Sequence, residues 1–334
     1  MNDTSFFSSN KYIFLPTKNN PKVALVVNNS SLAKNAFKLY NPFSSKAKRF
    51  KNVMEFCFVG LNIIFKPFLS VKKEKSDFIK YLENELGQEL VVSLYFATIK
   101  DKIVLQLQST DAKIIGYLKY PLNELGLKHI ENEIRAFELL AKEKIVKPYI
   151  LCKEYEGKPF LLLEELDGTI DKVDKDSLNT VLDKFYRKES YTLAKHPRVL
   201  ELKKSLQEKN MSKYLNIIDT ICKTSTLEYK LLYEHGDFTP WNIVKVKDDY
   251  IPFDFEYFVE DGLEHFDIIK YYYQIGKLLE AKDGDDLVQF VCLHVEIVEI
   301  KELLKLFLIK EISRGIEENE TFEFEEETIK VLNK

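Results

Sequence analysis

Three polar side chains surround one short stretch of the sequence, and their types suit a metal ion that binds phosphate. Residues 243–246 and 250–253 alternate like two strands joined by a turn, which predicts a β-hairpin. Asn242 precedes the first strand and Asp254 follows the second, so antiparallel pairing brings an amide and a carboxylate together. Asp237 lies five residues before Asn242 on the preceding loop. Two carboxylates and an amide oxygen are ligands that Mg²⁺ accepts while it keeps several waters.

The elements that must position these residues follow from hydrophobic periodicity. From about residue 89 three strand-like runs form a meander, then "KHIENEIRAFELLAKEK" has helical spacing, and two more strands follow. Beyond Gly168 the pattern is mainly helical. The sequence therefore predicts an α+β fold with a small β-rich lobe at 89–165, a larger helical lobe at 166–334 and an N-terminal extension at 1–88.

Three motifs in the predicted helical lobe resemble those of a known family. "HGDFTPWN" matches, in kind and spacing, the H-x-D-x-x-x-x-N catalytic loop of the kinase-like fold. "FDFEYF" is similar to a D-F/W-E metal-binding segment, and "HFDIIK" is similar to the F-D-I/L segment that follows it. Over residues 89–310 the chain thus resembles the aminoglycoside phosphotransferase and choline kinase superfamily of small-molecule kinases. That resemblance implies a two-lobed, protein-kinase-like fold.

The same resemblance implies a role for each polar residue of these motifs. Asp237 is the catalytic base that receives the proton of the acceptor hydroxyl, and Asn242 and Asp254 hold Mg²⁺. Asp267 is a structural acid that braces the catalytic loop. His235 is expected to support the loop through hydrogen bonds, because Asp237 already fills the role of base.

The resemblance also implies a lysine and a glutamate that position the nucleotide. Lys119 occupies the place of the strand lysine that holds the α and β phosphates. Glu133 occupies the place of the helix glutamate that holds this lysine, with Glu131 and Glu138 as rivals on the same helix. If Lys119 is the wrong lysine, Lys113 is the next candidate.

Two further segments bear on ATP binding. "FLLLEELDG" resembles the segment that joins the lobes and offers backbone groups to adenine, with Glu164 and Glu165 at the crossing. The loop between the first two strands of the meander, "TIKDK" at 98–102, departs from the family because it contains no glycine. Lys100 or Lys102 is then the candidate to donate to a phosphate.

Composition excludes several classes of protein. With 45% hydrophobic residues the chain is not disordered, and 49 basic against 53 acidic residues leave no global positive field for nucleic acid. A cytoplasmic setting is expected, because the start has no secretory signal pattern and the cysteines show no paired spacing: Cys57, Cys152, Cys222 and Cys292. The acidic stretch "EENETFEFEEE" at 317–327 is interpreted as a solvated tail.

The most apolar window, residues 53–71, is not expected to span a membrane because it contains Glu55, Lys66 and Pro67. Two interpretations remain for residues 44–71, where a basic segment precedes the apolar residues. They form either an extra layer on the small lobe or a peripheral contact with an anionic membrane surface.

Together these features predict an ATP- and Mg²⁺-dependent phosphotransferase. It would move the γ-phosphoryl group to a hydroxyl of a small molecule, such as a sugar, an amino alcohol or a related metabolite. The alternative is a pseudokinase, a kinase-shaped binding or scaffold protein without turnover, which the glycine-free loop favours.

Overall fold

A computed structural model describes residues 6–40, 45–96, 101–170 and 172–333. The chain forms two compact units. The first comprises Met1–Ile134 and Pro148–Glu165, and the second comprises Arg135–Lys147 and Leu166–Lys334.

The first unit is built on an antiparallel sheet of eight strands in the order β3-β1-β2-β4-β5-β6-β8-β7. The strands are β1 (Lys11–Pro16), β2 (Pro21–Val26), β3 (Val71–Lys72), β4 (Val91–Phe96), β5 (Lys102–Gln108), β6 (Ile114–Pro121), β7 (Leu151–Tyr155) and β8 (Lys158–Leu163). The meander predicted from residue 89 is confirmed as β4, β5 and β6.

The N-terminal strands belong to this same sheet and do not form a separate body. β1 pairs with β2, and β2 pairs with β4 through Val23 opposite Tyr95 and Ala24 opposite Leu94. The sequence predicts a strand at 22–28 but gives no sign of its partner. Pairing between segments about seventy residues apart depends on tertiary packing and leaves no local periodicity.

Helices of the first unit cover both faces of the sheet. They are α1 (Ser30–Ala36), α2 (Ser45–Glu55), α3 (Asn62–Leu69), α4 (Asp77–Leu86) and α5 (Glu124–Lys142), and α5 continues into the second unit. One core contains Phe78, Ile79 and Leu82 of α4, and the other contains Ala33 and Ala36 of α1. The sequence predicts Ser76 as the N-cap of α4 and Gly87 as its C-terminal stop, and both are confirmed: Ser76 accepts from the Ile79 N–H, and Gly87 has φ 65°.

The second unit contains seven further helices and two small sheets in its described part. The helices are α6 (Lys175–Asp183), α7 (Pro197–Glu208), α8 (Ser212–Thr224), α9 (Phe266–Gln274), α10 (Gly284–His294), α11 (Ile300–Glu318) and α12 (Glu323–Leu332). The strands are β9 (Tyr186–Thr192), β10 (Glu228–Glu234), β11 (Ile243–Val246), β12 (Asp249–Pro252) and β13 (Val259–Leu263). They form the sheet β13-β10-β9 and the hairpin β11-β12. The predicted α+β class is confirmed.

Two expectations for this unit are wrong. The sequence pattern at 176–188 predicts a helix over that whole range, but α6 ends at Asp183, and β9 begins at Tyr186 as the polar edge strand of a sheet. The acidic stretch is not a solvated tail, because its last residues begin α12. Glu325 is only 8% exposed and accepts from the Tyr273 hydroxyl at 2.8 Å and the Lys277 Nζ at 2.6 Å. The short acidic run alone does not reveal these buried partners, because they lie about fifty residues away in the sequence.

Within the described ranges, no single helix has both the length and the apolar character needed to cross a membrane. One pair, residues 46–60 and 62–69, passes that test jointly, with a bend of 109° between its two parts.

Candidate active site

The loop after β10 has a conformation that only glycine accommodates well. Gly236 has φ 78°, in the left-handed region, and a Cβ added there would lie 2.2 Å from the Tyr257 carbonyl oxygen. The glycine between His235 and Asp237 therefore lets the backbone turn closely past residue 257 and present Asp237.

Asp267 braces this loop from the first turn of α9. It is 2% exposed, and its carboxylate accepts from the backbone N–H of His235 at 2.8 Å and of Gly236 at 3.0 Å. The structure thus places Asp267 in the bracing position that the resemblance implies. Burial and the nearby charge of Glu234 raise the pKa of the Asp267 carboxyl to about 7.

His235 joins the loop to the segment that contains Asp254. Its ring is fully buried, and burial lowers the pKa of His235, which keeps the imidazole neutral. Nε2–H donates to the Phe253 carbonyl at 2.9 Å, and Nδ1 accepts from the Asp237 N–H at 3.3 Å. A single ring therefore fixes the backbone on both sides of the site, as expected for a supporting histidine.

The predicted hairpin is confirmed, and it brings Asn242 and the Asp254 segment to one end. Ile243 pairs with Pro252, and the Phe253 N–H donates to the Asn242 carbonyl at 3.0 Å. Asp254 follows with φ 69°. The Asn242 Nδ2 donates to both the carbonyl and the Oδ2 of Asp237, each at 2.9 Å. Because the amide nitrogen makes both bonds, the amide oxygen keeps its lone pairs for a cation.

Lys270 is a site residue that sequence reasoning missed. Its Nζ lies 3.3 Å from the Asp237 Oδ1 and 2.7 Å from the Glu311 Oε2, and the residue is 1% exposed. The spacing of Lys270 from Asp267 could have indicated this role. Residues three apart share a helix face, and Asp267 on the same helix already faces the loop. The side chain of Lys270, one turn later, therefore points toward the same loop.

Glu311 keeps this buried lysine paired from the other side. It also bonds Arg314 at 2.7 Å. Burial raises the pKa of Glu311, but the cations Arg314, Lys270 and Lys310 outweigh it and hold that pKa well below its ordinary value. Asp237 keeps 24% of its side-chain surface exposed, so its carboxylate is both held and accessible.

The first unit contains the residues expected to position the nucleotide phosphates. The Lys119 Nζ on β6 bonds Glu133 Oε1 at 2.6 Å and Oε2 at 2.7 Å. Lys119 is 8% exposed and Glu133 is fully buried. The structure therefore selects Glu133, over its two rivals on α5, as the ion-pair partner of Lys119. Lys113 is exposed and directly precedes β6.

The remaining predicted nucleotide residues are less constrained. Glu164 and Glu165 follow β8 directly, with Glu164 exposed and Glu165 bonded to the Lys38 Nζ at 2.9 Å. The implied adenine contact uses backbone groups, so this ion pair does not oppose it. Lys102 begins β5, and Lys100 lies outside the described residues.

Replacing Lys119 alone is expected to affect folding as well as nucleotide binding. Lys119→Ala would leave the buried Glu133 carboxylate unpaired, at a cost of about 3–5 kcal/mol in the free energy of unfolding. Lys119→Met combined with Glu133→Gln removes both charges and should keep the fold while ATP affinity drops about tenfold or more. Urea unfolding and ATP titration measure the two effects, with Lys142→Ala as the control at an exposed lysine that has no assigned role. Unchanged ATP affinity in the double variant would rule out Lys119 as a phosphate ligand.

Replacing Asp267 with Asn should lower the free energy of unfolding by about 1–3 kcal/mol, because one loop N–H would face an amide NH₂. Its raised pKa means that the folded protein holds a proton that the unfolded chain loses above about pH 4. The stabilisation by Asp267 is therefore largest in acid and declines as the pH rises toward 7.

Urea unfolding of parent and variant at about pH 5 and about pH 8 tests this. The difference between them should be larger at the lower pH. Asp285→Asn, an exposed acid in the first turn of α10, is the control. Equal stability of parent and Asp267→Asn at both pH values would contradict the bracing role.

Solved structures of small-molecule kinases are similar to this chain. An aminoglycoside phosphotransferase from Streptomyces rimosus is 12% identical, with TM-score 0.47, over 71% of this chain and 97% of that one. An ethanolamine kinase from Plasmodium vivax is 12% identical, with TM-score 0.41, over 91% of this chain and 93% of that one. A macrolide 2'-phosphotransferase is 12% identical, with TM-score 0.46, over 76% and 94%. No protein-family model matches the chain, and no curated protein matches its sequence.

Proposed function

We propose that the chain is an ATP-dependent phosphotransferase that acts on a hydroxyl of a small molecule. The observation that carries this proposal is the setting of Asp237. One carboxylate oxygen is held by the Asn242 amide at 2.9 Å and the other by Lys270 at 3.3 Å, while the side chain stays 24% exposed. A fixed, accessible carboxylate on this loop is what a base for an acceptor hydroxyl requires.

The proposed reaction needs little covalent chemistry from the protein. The acceptor oxygen forms a bond to the γ-phosphorus, the bond from that phosphorus to the β-phosphate oxygen breaks, and ADP leaves. The acceptor proton passes to Asp237. Lys270 keeps Asp237 oriented until then, and Glu311 keeps Lys270 paired after the carboxylate has taken the proton.

The donor set fits Mg²⁺. The Asn242 amide oxygen and the Asp254 carboxylate belong to one end of the hairpin, and both are hard oxygen donors. We assign these two residues as the protein ligands. When bound, Mg²⁺ would neutralise charge on the phosphate oxygens. In the first unit, the Lys119 and Glu133 pair is assigned to the α and β phosphates, with the backbone at 164–165 assigned to adenine.

A cytoplasmic setting, where ATP is plentiful, is part of the proposal. No disulfide joins the four cysteines, all of which lie in the described ranges. Their reduced state suits that compartment.

The acceptor screen tests the activity directly. Purified protein is incubated with Mg²⁺ and γ-labelled ATP and with sugars, amino alcohols and related hydroxylated metabolites, and the transfer of label is measured. Thermal shift with ATP, with and without Mg²⁺, is measured in parallel. Label transfer to one acceptor class supports the kinase. Nucleotide-dependent stabilisation without transfer to any acceptor, and without ATP hydrolysis, supports the pseudokinase that the glycine-free segment 98–102 favours.

A further inference from the structure

A helical hairpin at residues 45–69, formed by α2, the π-helical turn Phe56–Gly60 and α3, is fixed to the first unit by its inner side. Phe58 is fully buried in the core beside α1. The Asn62 Nδ2 donates to the carbonyls of Val27 at 3.1 Å and Phe58 at 2.8 Å, and the Lys66 Nζ donates to the Asn28 carbonyl at 2.7 Å. Because these polar contacts anchor the hairpin, the residues on its outer side are held outward.

The outer side of the 45–69 hairpin is unusually apolar. Among the described residues, sixteen large apolar side chains are exposed, and eight of them lie in this stretch of 25 residues. The most exposed are Ile63 at 85% and Phe68 at 83%. The others are Phe50, Val53, Phe56, Leu61, Ile64 and Leu69. Single exposed apolar residues are ordinary, but such a concentration marks a surface that another phase or molecule covers.

The same hairpin is basic, although the chain as a whole carries a net charge of −4. Four basic residues lie on α2: Lys46, Lys48, Arg49 and Lys51. Glu55 is the only acidic residue of the hairpin at 45–69. Of the four, Lys46, Lys48 and Arg49 are exposed and Lys51 is half-buried. Cationic and apolar side chains therefore occur together on one short, anchored element.

We propose that the outer side of the 45–69 hairpin docks on the surface of an anionic phospholipid bilayer. Phe, Ile and Leu side chains enter the boundary between headgroups and acyl chains, while the basic residues of α2 contact the lipid phosphates. The positive charge of the hairpin favours an anionic bilayer over a second copy of the chain as the partner of this surface. A two-fold contact through this surface would set the same basic residues of both copies against each other. This inference is independent of the phosphotransferase activity.

Vesicle flotation of the full chain tests the proposal. Recovery with vesicles containing about a third phosphatidylglycerol should exceed recovery with pure phosphatidylcholine vesicles by about tenfold or more, and should fall as salt rises. Ile63→Asp combined with Phe68→Asp should reduce anionic binding by about tenfold or more without unfolding, because both side chains are exposed. Leu293→Asp combined with Val298→Asp, at 69% and 72% exposure, is the matched control and should bind as the parent does.

The basic residues are tested separately. Changing Lys46, Lys48, Arg49 and Lys51 to Gln should reduce anionic binding by about tenfold or more, with thermal melting as the check on folding. The control changes four exposed lysines to Gln elsewhere: Lys142, Lys188, Lys204 and Lys301. Background recovery with both vesicle types, or equal loss in both quadruple variants, would overturn the proposal. So would self-association in sedimentation that disappears with Ile63→Asp and Phe68→Asp while lipid binding is absent.

Discussion

Replacing Asp237 with Asn is expected to lower the rate of phosphoryl transfer by roughly a hundredfold or more, the usual size of a lost general base. The affinity for Mg²⁺ and ATP should stay close to that of the parent, because the proposal assigns Asp237 to the acceptor and not to the nucleotide. The fold should also persist. Asn can still accept from the Asn242 amide, and Lys270 keeps Glu311 as a partner at 2.7 Å.

Single-turnover kinetics with the acceptor found by the screen measure this change, and isothermal titration with ATP and Mg²⁺ measures binding. Asp248→Asn is the matched control, since Asp248 is exposed in the turn of the hairpin and has no assigned role. A transfer rate within about twofold of the parent for Asp237→Asn would remove the proposed base.

Replacing Asp254 with Asn is expected to weaken nucleotide binding itself, and only when Mg²⁺ is present. The change removes the one charged ligand assigned to the metal, and the loss should be about tenfold or more, since even indirect partners of a metal site cost that much. Asn tolerates the left-handed backbone that Asp254 adopts at φ 69°, so the hairpin should keep its shape.

Titration of the Asp254→Asn variant with ATP, with and without Mg²⁺, separates this role from that of Asp237. In the absence of the metal, variant and parent should bind ATP alike. If both aspartate variants bind Mg²⁺ and ATP as the parent does and both retain full transfer, the two residues only shape the hairpin and the proposed chemistry fails.

Local patterns in the sequence predicted the hairpin that positions two residues of the candidate site and the two ends of one helix in the first unit. The hairpin that carries Asn242 and Asp254 follows from alternation over ten residues, and the caps Ser76 and Gly87 follow from residue type. These features depend only on residues that are close together in the sequence. Asp267 was found through the resemblance, because its contacts with the loop span about thirty residues.

The residues that were missed act through tertiary contacts. Lys270 contacts Asp237 on the loop after β10 because α9 lies beside that loop, and α11 supplies its partner Glu311, a pairing that spans 41 residues. β1 is a strand of the sheet only because β2 lies between it and β4. β9 is polar and lies at an edge, so its sequence lacks the alternation that marks a half-buried strand.

The pairing of β2 with β4 also determines how long β2 must wait for its partner strand while the chain is being synthesised. Ala24 and its partner Leu94 are separated by 70 residues, which a ribosome adds in about 4 to 14 seconds at roughly 5–20 residues per second. Until then β2 has β1 on one side and an unpaired edge on the other, and such an edge can accept a strand from a neighbouring nascent chain. Slow translation of residues 25–94 lengthens that exposure, and rapid translation shortens it.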